Sequence, residues 1–162
     1  MRHQGDGVRV VYRGKDGAEH AALADYSICT IPSPVPKDIP NDFSASTQST
    51  LESLDFMEAV KVAFQAKRRF WEDDSAIYGG ISWTDTDIAQ IWYPSNGYHR
   101  HKGVLVGAYI WNREPGRRYS AMTAAERLNS ALAQGESLHP AYAGEMECGI
   151  SRAWVNVPFR KG

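Results

Sequence analysis

Apolar and polar residues alternate along several short stretches of the chain, as they do in β-strands with one buried face. In the first stretch, Val8, Val10 and Tyr12 share one side, and a glycine-containing turn follows them. Residues 24–31 form a second, mostly apolar stretch, which ends at Pro32 because proline cannot donate to a strand ladder. The pattern therefore predicts two strands in the N-terminal part of the chain, the second of them mostly buried.

Further stretches with the same alternation follow from residue 59 onwards. The longest, residues 59–71, places four apolar side chains on one face: Val60, Val62, Phe64 and Ala66. The others are separated by glycine, proline and asparagine, which favour turns. These predicted strands cover residues 81–83, 88–93, 103–111 and 148–157, and the third of them stops before Pro115-Gly116.

Two helices are predicted between the strands. Leucines three residues apart in a Ser/Thr-rich segment indicate a short helix over residues 44–54. Thr123 and Glu126 form a capping box, which predicts a second helix that runs to about Gln134. Because most strands follow one another without an intervening helix, the fold class is α+β with a mixed, largely antiparallel sheet. The composition changes near Asp55, which is the best candidate for a domain boundary.

Composition and charge narrow the possible functions. The net charge of −1 lacks the basic excess that binding to nucleic acid or to an anionic membrane requires. No apolar run approaches the ~20 residues that span a bilayer, and residues 1–6 are polar, unlike a signal peptide. Cys29 and Cys148 lack the spacing of a metal site and are predicted to be two buried thiols. This cysteine usage favours a cytoplasmic location.

Lys61 is the first candidate for chemistry. It lies in the middle of the strand around Val60, on the opposite face, where its neighbours Ala59 and Ala63 are small. One interpretation is a lysine on a solvated sheet face, since burial of one face is the norm in antiparallel sheets. The other is a lysine that points into a cavity, where partial burial would lower its pKa and let it transfer protons.

Tyr109 is the second candidate. On strict alternation it shares a strand face with Leu105 and Gly107, and a glycine inside a strand often marks close approach by a ligand or another backbone. The alternative is a core tyrosine with a locally bonded hydroxyl.

The other motifs are weaker candidates for a catalytic or metal-binding site. His99 and His101 lack a nearby third ligand for zinc, and Glu72-Asp73-Asp74 reads as a solvated acidic turn. The sequence contains no Gly-x-Ser-x-Gly elbow, no phosphate loop and no Gly-x-Gly-x-x-Gly turn. No metal is therefore predicted.

An ordered set of motifs runs along the middle of the chain. The run Lys-Val-Ala-Phe-Gln-Ala-Lys-Arg-Arg-Phe-Trp-Glu-Asp-Asp begins at Lys61, and Gly79-Gly80, Thr84-Asp85 and Trp92-Tyr93-Pro94 follow it. This set, with its spacing from Lys61 to Phe70-Trp71, resembles the flavin-containing amine oxidases, and most of all the L-amino-acid oxidases. The strands before residue 32 and the strand that leads to Trp154 also fit that family, so the resemblance covers essentially the whole chain.

The resemblance implies roles for both candidates. Lys61 matches the family lysine that holds a water against the flavin N5. Tyr109, in Gly107-Ala108-Tyr109, matches the tyrosine that hydrogen-bonds the substrate carboxylate in L-amino-acid oxidases. The implied reaction is FAD-dependent oxidation of an L-amino acid or amine to an imine, with release of a keto acid, ammonia and hydrogen peroxide.

The resemblance also implies a division of the chain. Residues 1–55 would be a remnant of the FAD-binding domain, and residues 56–162 a substrate-binding domain without its C-terminal part. The glycine-rich turn for the FAD pyrophosphate, the arginine that grips the substrate carboxylate and a late glycine-rich segment are missing. We therefore expect an internal fragment of such an oxidase, inactive on its own.

Two alternatives stay open. The chain could be a subunit that completes a flavin site with another polypeptide. It could also be a non-catalytic domain, derived from the oxidase, that binds a small molecule or has a structural role. The expected substrate is a small amine or amino acid, and a complementing chain or a homo-oligomer stays open as a partner. Neither nucleic acid nor a membrane is an expected partner.

Overall fold

The computed structural model describes residues 1–33, 35–158 and 160. The chain divides into two compact units, Met1–Phe56 and Met57–Gly162.

The first unit contains a three-stranded antiparallel sheet and one α-helix. The strands are β1 (Arg2–Gln4), β2 (Gly7–Arg13) and β3 (Glu19–Ala24), in that order across the sheet. Helix α1 covers Ala45–Ser53, where the Ser44 hydroxyl caps the first turn by accepting from the Thr47 amide at 3.2 Å. The helix agrees with the sequence-based prediction.

The predicted strand over residues 24–31 is wrong. The strand that pairs with β2 is β3, which ends at Ala24, and beyond it Tyr26 and Ile28 are both 89% exposed. Alternation identifies a segment that could form a strand, but pairing depends on a neighbour. Residues 25–31 have no strand neighbour within the described parts of this unit.

The second unit is built on a five-stranded sheet in the order β5-β6-β7-β4-β8, with every pair antiparallel. The strands are β4 (Val60–Ala66), β5 (Ile81–Trp83), β6 (Gln90–Trp92), β7 (Gly103–Ile110) and β8 (Met146–Ala153). The predicted alternation of β4 is confirmed, because all four apolar side chains of its inner face are buried. The predicted strands over residues 59–71 and 148–157 are too long, because the chain turns helical at Phe70–Asp73 and at Trp154–Asn156. The antiparallel α+β fold class is confirmed as well.

Helices and aromatic side chains cover the inner face of this sheet. The helices are α2 (Phe70–Asp73), α3 (Arg113–Ala121), α4 (Ala124–Gly135) and α5 (Tyr142–Glu145). Trp71, Tyr119 and Tyr142 are fully buried in the core. The capping box of α4 is confirmed: the Thr123 amide donates to Glu126 at 2.7 Å, and the Glu126 amide donates to the Thr123 hydroxyl at 3.3 Å.

Helix α3 was not predicted, because Pro115-Gly116 reads as a turn. Proline is tolerated in the first turn of a helix, where its missing amide would have no partner in the helix. Gly116 is needed for a different reason: a Cβ at this position would collide with the backbone of Glu58. Pro115 is thus compatible with the first turn of the helix, and Gly116 allows the helix to pack closely against Glu58.

Candidate functional site

One face of the five-stranded sheet carries the core, and the other, here called the open face, is largely exposed. The open face carries the β4 side chains of Lys61, Ala63 and Gln65, none of which is buried. Several large apolar side chains are exposed on its other strands: Ile81, Trp83, Trp92, Val104 and Ile150. A sheet face that exposes this many apolar groups is typical of a surface that receives a ligand or another part of a protein.

Lys61 and Tyr109 meet on the open face. They are directly opposite each other on β4 and β7, and the Lys61 Nζ lies 4.4 Å from the centroid of the Tyr109 ring. An ammonium over an aromatic face is attracted by the ring quadrupole. The structure therefore brings together the two residues that the sequence singled out separately.

Trp92 on β6 completes a row of side chains with these two. Its indole meets the Tyr109 ring edge-on, with 5.7 Å between the ring centroids, and its Nε1 donates to the buried Gln90 side chain at 2.6 Å. The phenol ring thus lies between a cation and a fixed indole. The sequence could identify Trp92 only as part of the Trp-Tyr-Pro motif.

The predicted face of Tyr109 is wrong in one respect. Leu105 and Gly107 are buried in the core, whereas Tyr109 lies on the open face. The cause is a β-bulge: Val62 pairs with Ala108 and Ala63 pairs with Val106, so Gly107 is an extra residue that reverses the alternation.

Gly107 also does not make room for a ligand. A Cβ at this position would lie 2.6 Å from the Phe64 ring and would also collide with Tyr142. The glycine therefore permits close packing of two core aromatic rings behind the sheet. The exposure of Tyr109 follows from the bulge rather than from space beside a glycine.

A buried polar chain lies on the core side and was not found from the sequence. The Tyr93 hydroxyl is hydrogen-bonded to His139 Nε2 at 2.7 Å and to the Ser82 hydroxyl at 3.0 Å. The His139 ring also stacks on Tyr142. Burial lowers the pKa of His139 and raises the pKa of Tyr93. Both groups are thus kept neutral at neutral pH.

We expect His139 to make the stability of the second unit fall as the pH drops. Because the folded-state pKa of His139 lies below its ordinary value of 6.5, the unfolded chain binds the proton more readily. The free energy of unfolding is therefore unaffected by this histidine above about pH 6.5 and decreases as the pH falls below that value. Urea unfolding at about pH 7.5 and at about pH 5.5 measures this difference, which should shrink in His139→Gln. The exposed His101→Gln serves as the control, and an unchanged pH dependence in His139→Gln would contradict the assignment.

Two further predictions are corrected by the structure. Glu72 is buried rather than solvated, because its carboxylate pairs with the buried Arg69 at 2.5 Å and accepts the His99 amide at 3.2 Å. The hydrogen bond from Arg69 is the main reason that the pKa of Glu72 is lowered. Cys29 and Cys148 are exposed free thiols, not buried ones. Cys29 lies in the segment after the end of β3, and Cys148 lies on the open face of the five-stranded sheet.

Neither a metal site nor a membrane helix is found in the described parts of the chain. No group of three or more His, Cys, Asp or Glu side chains in residues 1–33, 35–158 and 160 could hold a metal ion. Among the same residues, no helix combines the length and the apolar character needed to cross a bilayer.

Comparison with known proteins places the chain in a class of oxidoreductases. A family model described as flavin containing amine oxidoreductase matches residues 1–162, and the chain belongs to this family. The family resemblance of the sequence motifs is thereby confirmed.

Relatives named as amino-acid oxidases support the same placement. The chain is 27% identical over 146 residues to YobN of Bacillus subtilis (strain 168), and 29% identical over 143 residues to the flavin-dependent L-tryptophan oxidase RebO of Lentzea aerocolonigenes; each match covers 86% of this chain. An L-amino-acid oxidase of Demansia vestigiata is 31% identical over 108 residues, or 65% of this chain. The chain spans 30% of the length of the first two relatives and 21% of the third.

Solved structures show the same fold. Putrescine oxidase bound to putrescine matches with a TM-score of 0.78 at 18% identity, and cyclohexylamine oxidase from Brevibacterium oxydans IH-35A with 0.77 at 16% identity. Each match covers 99% of this chain and 34% of the solved chain. At these identities the likeness is one of fold, and it extends along the whole chain.

Proposed function

We propose that the chain supplies the substrate-facing sheet of an FAD-dependent enzyme that oxidatively deaminates an L-amino acid or amine. The products would be an imine or keto acid, ammonia and hydrogen peroxide. The observation that carries this proposal is the row on the open face, where the ammonium of Lys61 lies over the ring of Tyr109. We assign residues 1–55 to the FAD-binding domain and residues 56–162 to the substrate-binding domain of the larger enzyme.

The chemistry of the open face suits one side of a flavin site. A flavin, when bound, supplies the electron acceptor for amine oxidation. An exposed apolar and aromatic surface with one central ammonium fits a planar ring system that has polar edges. The pyrophosphate needs a different environment, a glycine-rich turn that leads into a helix N-terminus, and the 162 residues contain no Gly-x-Gly-x-x-Gly motif. The open face therefore fits the part of the site that contacts the flavin ring system, and not the part that binds the pyrophosphate.

Each residue of the row would then have its own task. Lys61 would hold a water molecule at the reacting centre and move protons there, since its ammonium has three donors on a flexible stem. Tyr109 would donate a hydrogen bond to the substrate carboxylate, which fixes the orientation of the substrate. Trp92 would form an apolar wall next to Tyr109 and keep its ring in place.

A second candidate function is that of a subunit that completes the flavin site with another polypeptide. The exposed apolar side chains of the open face favour it, since such a surface calls for a covering partner. A purified chain that is colourless alone but takes on flavin absorbance with its partner would support the subunit. A chain that never binds flavin under either condition would point instead to a non-catalytic small-molecule-binding domain.

Tyr109→Phe is expected to raise the Michaelis constant for amino acids by about ten- to a hundredfold in the flavin-loaded enzyme that contains this chain. The substitution removes one hydrogen bond to a charged group, which typically costs about 1.5–3 kcal/mol. The decarboxylated amine of the same side chain never makes this bond, so its Michaelis constant should not change. Steady-state kinetics on each amino acid and its matching amine measures the difference.

Two comparisons make this result interpretable. Tyr98→Phe removes the hydroxyl of another partly exposed tyrosine, which donates to the Tyr78 carbonyl, and should affect neither substrate. Equal damage to both substrates in Tyr109→Phe would mean loss of packing rather than loss of a carboxylate contact. Amine oxidation rather than amino-acid oxidation would then be the better assignment.

A further inference from the structure

The loop between β6 and β7 borders a cavity of about 410 Å³ in the second unit. Three cationic side chains line this cavity, those of Arg69, Arg100 and Lys102, and no acidic residue is among the described residues around it. A volume of this size falls within the range of roughly 300–1,000 Å³ that is usual for small-molecule sites. The cavity therefore suits a small ligand that carries negative charge.

The three cations differ in how far carboxylates already balance their charge. Arg69 is buried and pairs with Glu72 at 2.5 Å, and Lys102 is exposed and pairs with Glu147 at 2.7 Å. Arg100 is exposed and forms no ion pair with a carboxylate in the part of the chain that the structure describes. Within that part, the guanidinium of Arg100 is the charge at this cavity that lacks a counter-charge.

Both arginines pack directly on the backbone around the cavity. Gly97 has a φ of 74°, and the Arg100 Cδ lies 3.2 Å from the point where a Cβ of residue 97 would be. The Arg69 side chain donates to two carbonyls of the loop, at 3.2 and 3.3 Å, and a Cβ at Gly103 would lie 2.6 Å from its Nη1. The wall of the cavity is therefore held in place by side-chain contacts that a larger residue at either glycine would disturb.

This cavity is separate from the row that contains Lys61 and Tyr109. Val104, which lines the cavity, lies five positions before Tyr109 on β7. At about 3.3 Å per strand residue, five positions correspond to roughly 16 Å. A ligand in the cavity would therefore be a second ligand, and not the amine or amino acid of the proposed function.

We propose that this cavity binds a phosphate group, either as inorganic phosphate or as part of a small phosphorylated molecule. A phosphate dianion offers several acceptor oxygens, so Arg100 can donate two hydrogen bonds from its planar fork while Lys102 adds a point charge. Arg69, whose charge Glu72 balances, keeps the wall of the cavity in place. A singly charged anion would gain less from the second cation, because the attraction grows with the charge of the ligand.

Inorganic phosphate is the probe, and the 162-residue chain is the protein to use. We expect saturable NMR shifts of the backbone amides of Gly97, Arg100, Lys102 and Gly103 when phosphate replaces chloride at constant ionic strength. The titration is run at about pH 7.5, where a phosphate monoester carries close to two charges. The dissociation constant should be in the millimolar range, because two of the three cations are exposed. Acetate should bind more weakly than phosphate.

Arg100→Gln should weaken phosphate binding by about tenfold or more, the usual effect of removing hydrogen bonds to a charged group. Arg100→Lys, which keeps the charge without the planar fork, should lose less. Arg117→Gln removes an exposed arginine that pairs with Glu114 and should leave the affinity unchanged. Because Arg100 is exposed, retained dispersion of the amide signals can confirm that Arg100→Gln is folded.

Glycerol phosphate and glycerol identify the source of the phosphate group. If the cavity takes a small phosphorylated molecule, glycerol phosphate should bind more tightly than inorganic phosphate. If it takes inorganic phosphate, glycerol phosphate should bind no more tightly. Glycerol alone should shift none of these signals in either case.

Three results would overturn the proposal: no saturable response to phosphate, an equal affinity for acetate, or an unchanged phosphate affinity in Arg100→Gln. Failure of the proposed function is a separate result, since none of these titrations involves flavin, an amine or turnover. Phosphate binding that depends on Arg100 would stand even if Tyr109→Phe left the kinetics of amino-acid oxidation unchanged.

Discussion

Replacing Lys61 by methionine should slow flavin turnover in the complete enzyme by about a hundredfold or more, with little change in substrate binding. The size follows from the usual contribution of a positioned proton donor or acceptor, which is about 10²–10⁴-fold in rate. Lys61 lies at the centre of the open face with its ammonium over Tyr109, and methionine keeps most of the chain length without the charge. The reductive and oxidative half-reactions, measured separately, show which step depends on the ammonium.

Lys67→Met is the matched control for this substitution. Lys67 lies just beyond the same strand and donates to the Gly144 carbonyl at 2.7 Å, whereas the Lys61 ammonium lies over Tyr109. Its replacement should leave both half-reactions unchanged. If Lys61→Met also leaves both unchanged, Lys61 is a solvated surface lysine, and the row on the open face has no catalytic part.

A methyl group added at Gly107 should destabilise the second unit by about 3 kcal/mol, near the upper end of the usual cost of overpacking a core. The added Cβ would lie 2.6 Å from the Phe64 ring, and Tyr142 closes the space on the other side. Neither ring can move freely, since both are buried in the core. Urea unfolding of Gly107→Ala, followed by tryptophan fluorescence, measures the loss.

Gly144→Ala provides the comparison, because a Cβ at Gly144 meets nothing within 4 Å. Gly144 lies in α5, where alanine is the better helix former, so this variant should be unchanged or slightly more stable. If the two variants unfold at the same urea concentration, the aromatic rings behind β7 can move aside. The bulge at Gly107 would then not depend on their packing.

The sequence predicted those parts of the fold that depend on residues within a single helix or strand. The alternation of Val60, Val62 and Phe64 identified a strand with one buried face, and Thr123 with Glu126 identified the start of a helix. Both signals act over a few residues and involve no distant partner. They were therefore readable without knowledge of the tertiary structure.

The features that escaped prediction depend on contacts between distant parts of the chain. At the bulge that turns Tyr109 to the open face, Phe64 and Tyr142 pack against Gly107, and these residues are far apart in sequence. The bond between Tyr93 and His139 spans 46 positions. A periodic pattern cannot reveal such contacts.

The candidate site, too, could be predicted from the sequence only in part. The small neighbours of Lys61 and its spacing to Phe70-Trp71 single out Lys61, and the strand that Tyr109 shares with Gly107, together with the family motif, singles out Tyr109. Their mutual contact and the fixed indole of Trp92 follow only from the strand order β6-β7-β4. Strand order in a sheet with non-sequential neighbours is set by the whole fold, so alternation within each strand does not specify it.

Titration of FAD into the 162-residue chain, followed by flavin fluorescence, tests most directly whether this chain holds only the ring-facing side of the site. We predict no saturable binding, because a dinucleotide of this charge needs backbone amides and a helix N-terminus for its pyrophosphate, and the sequence has no glycine-rich turn to provide them. Saturable binding at micromolar FAD would contradict this prediction and would place the whole cofactor site within these residues.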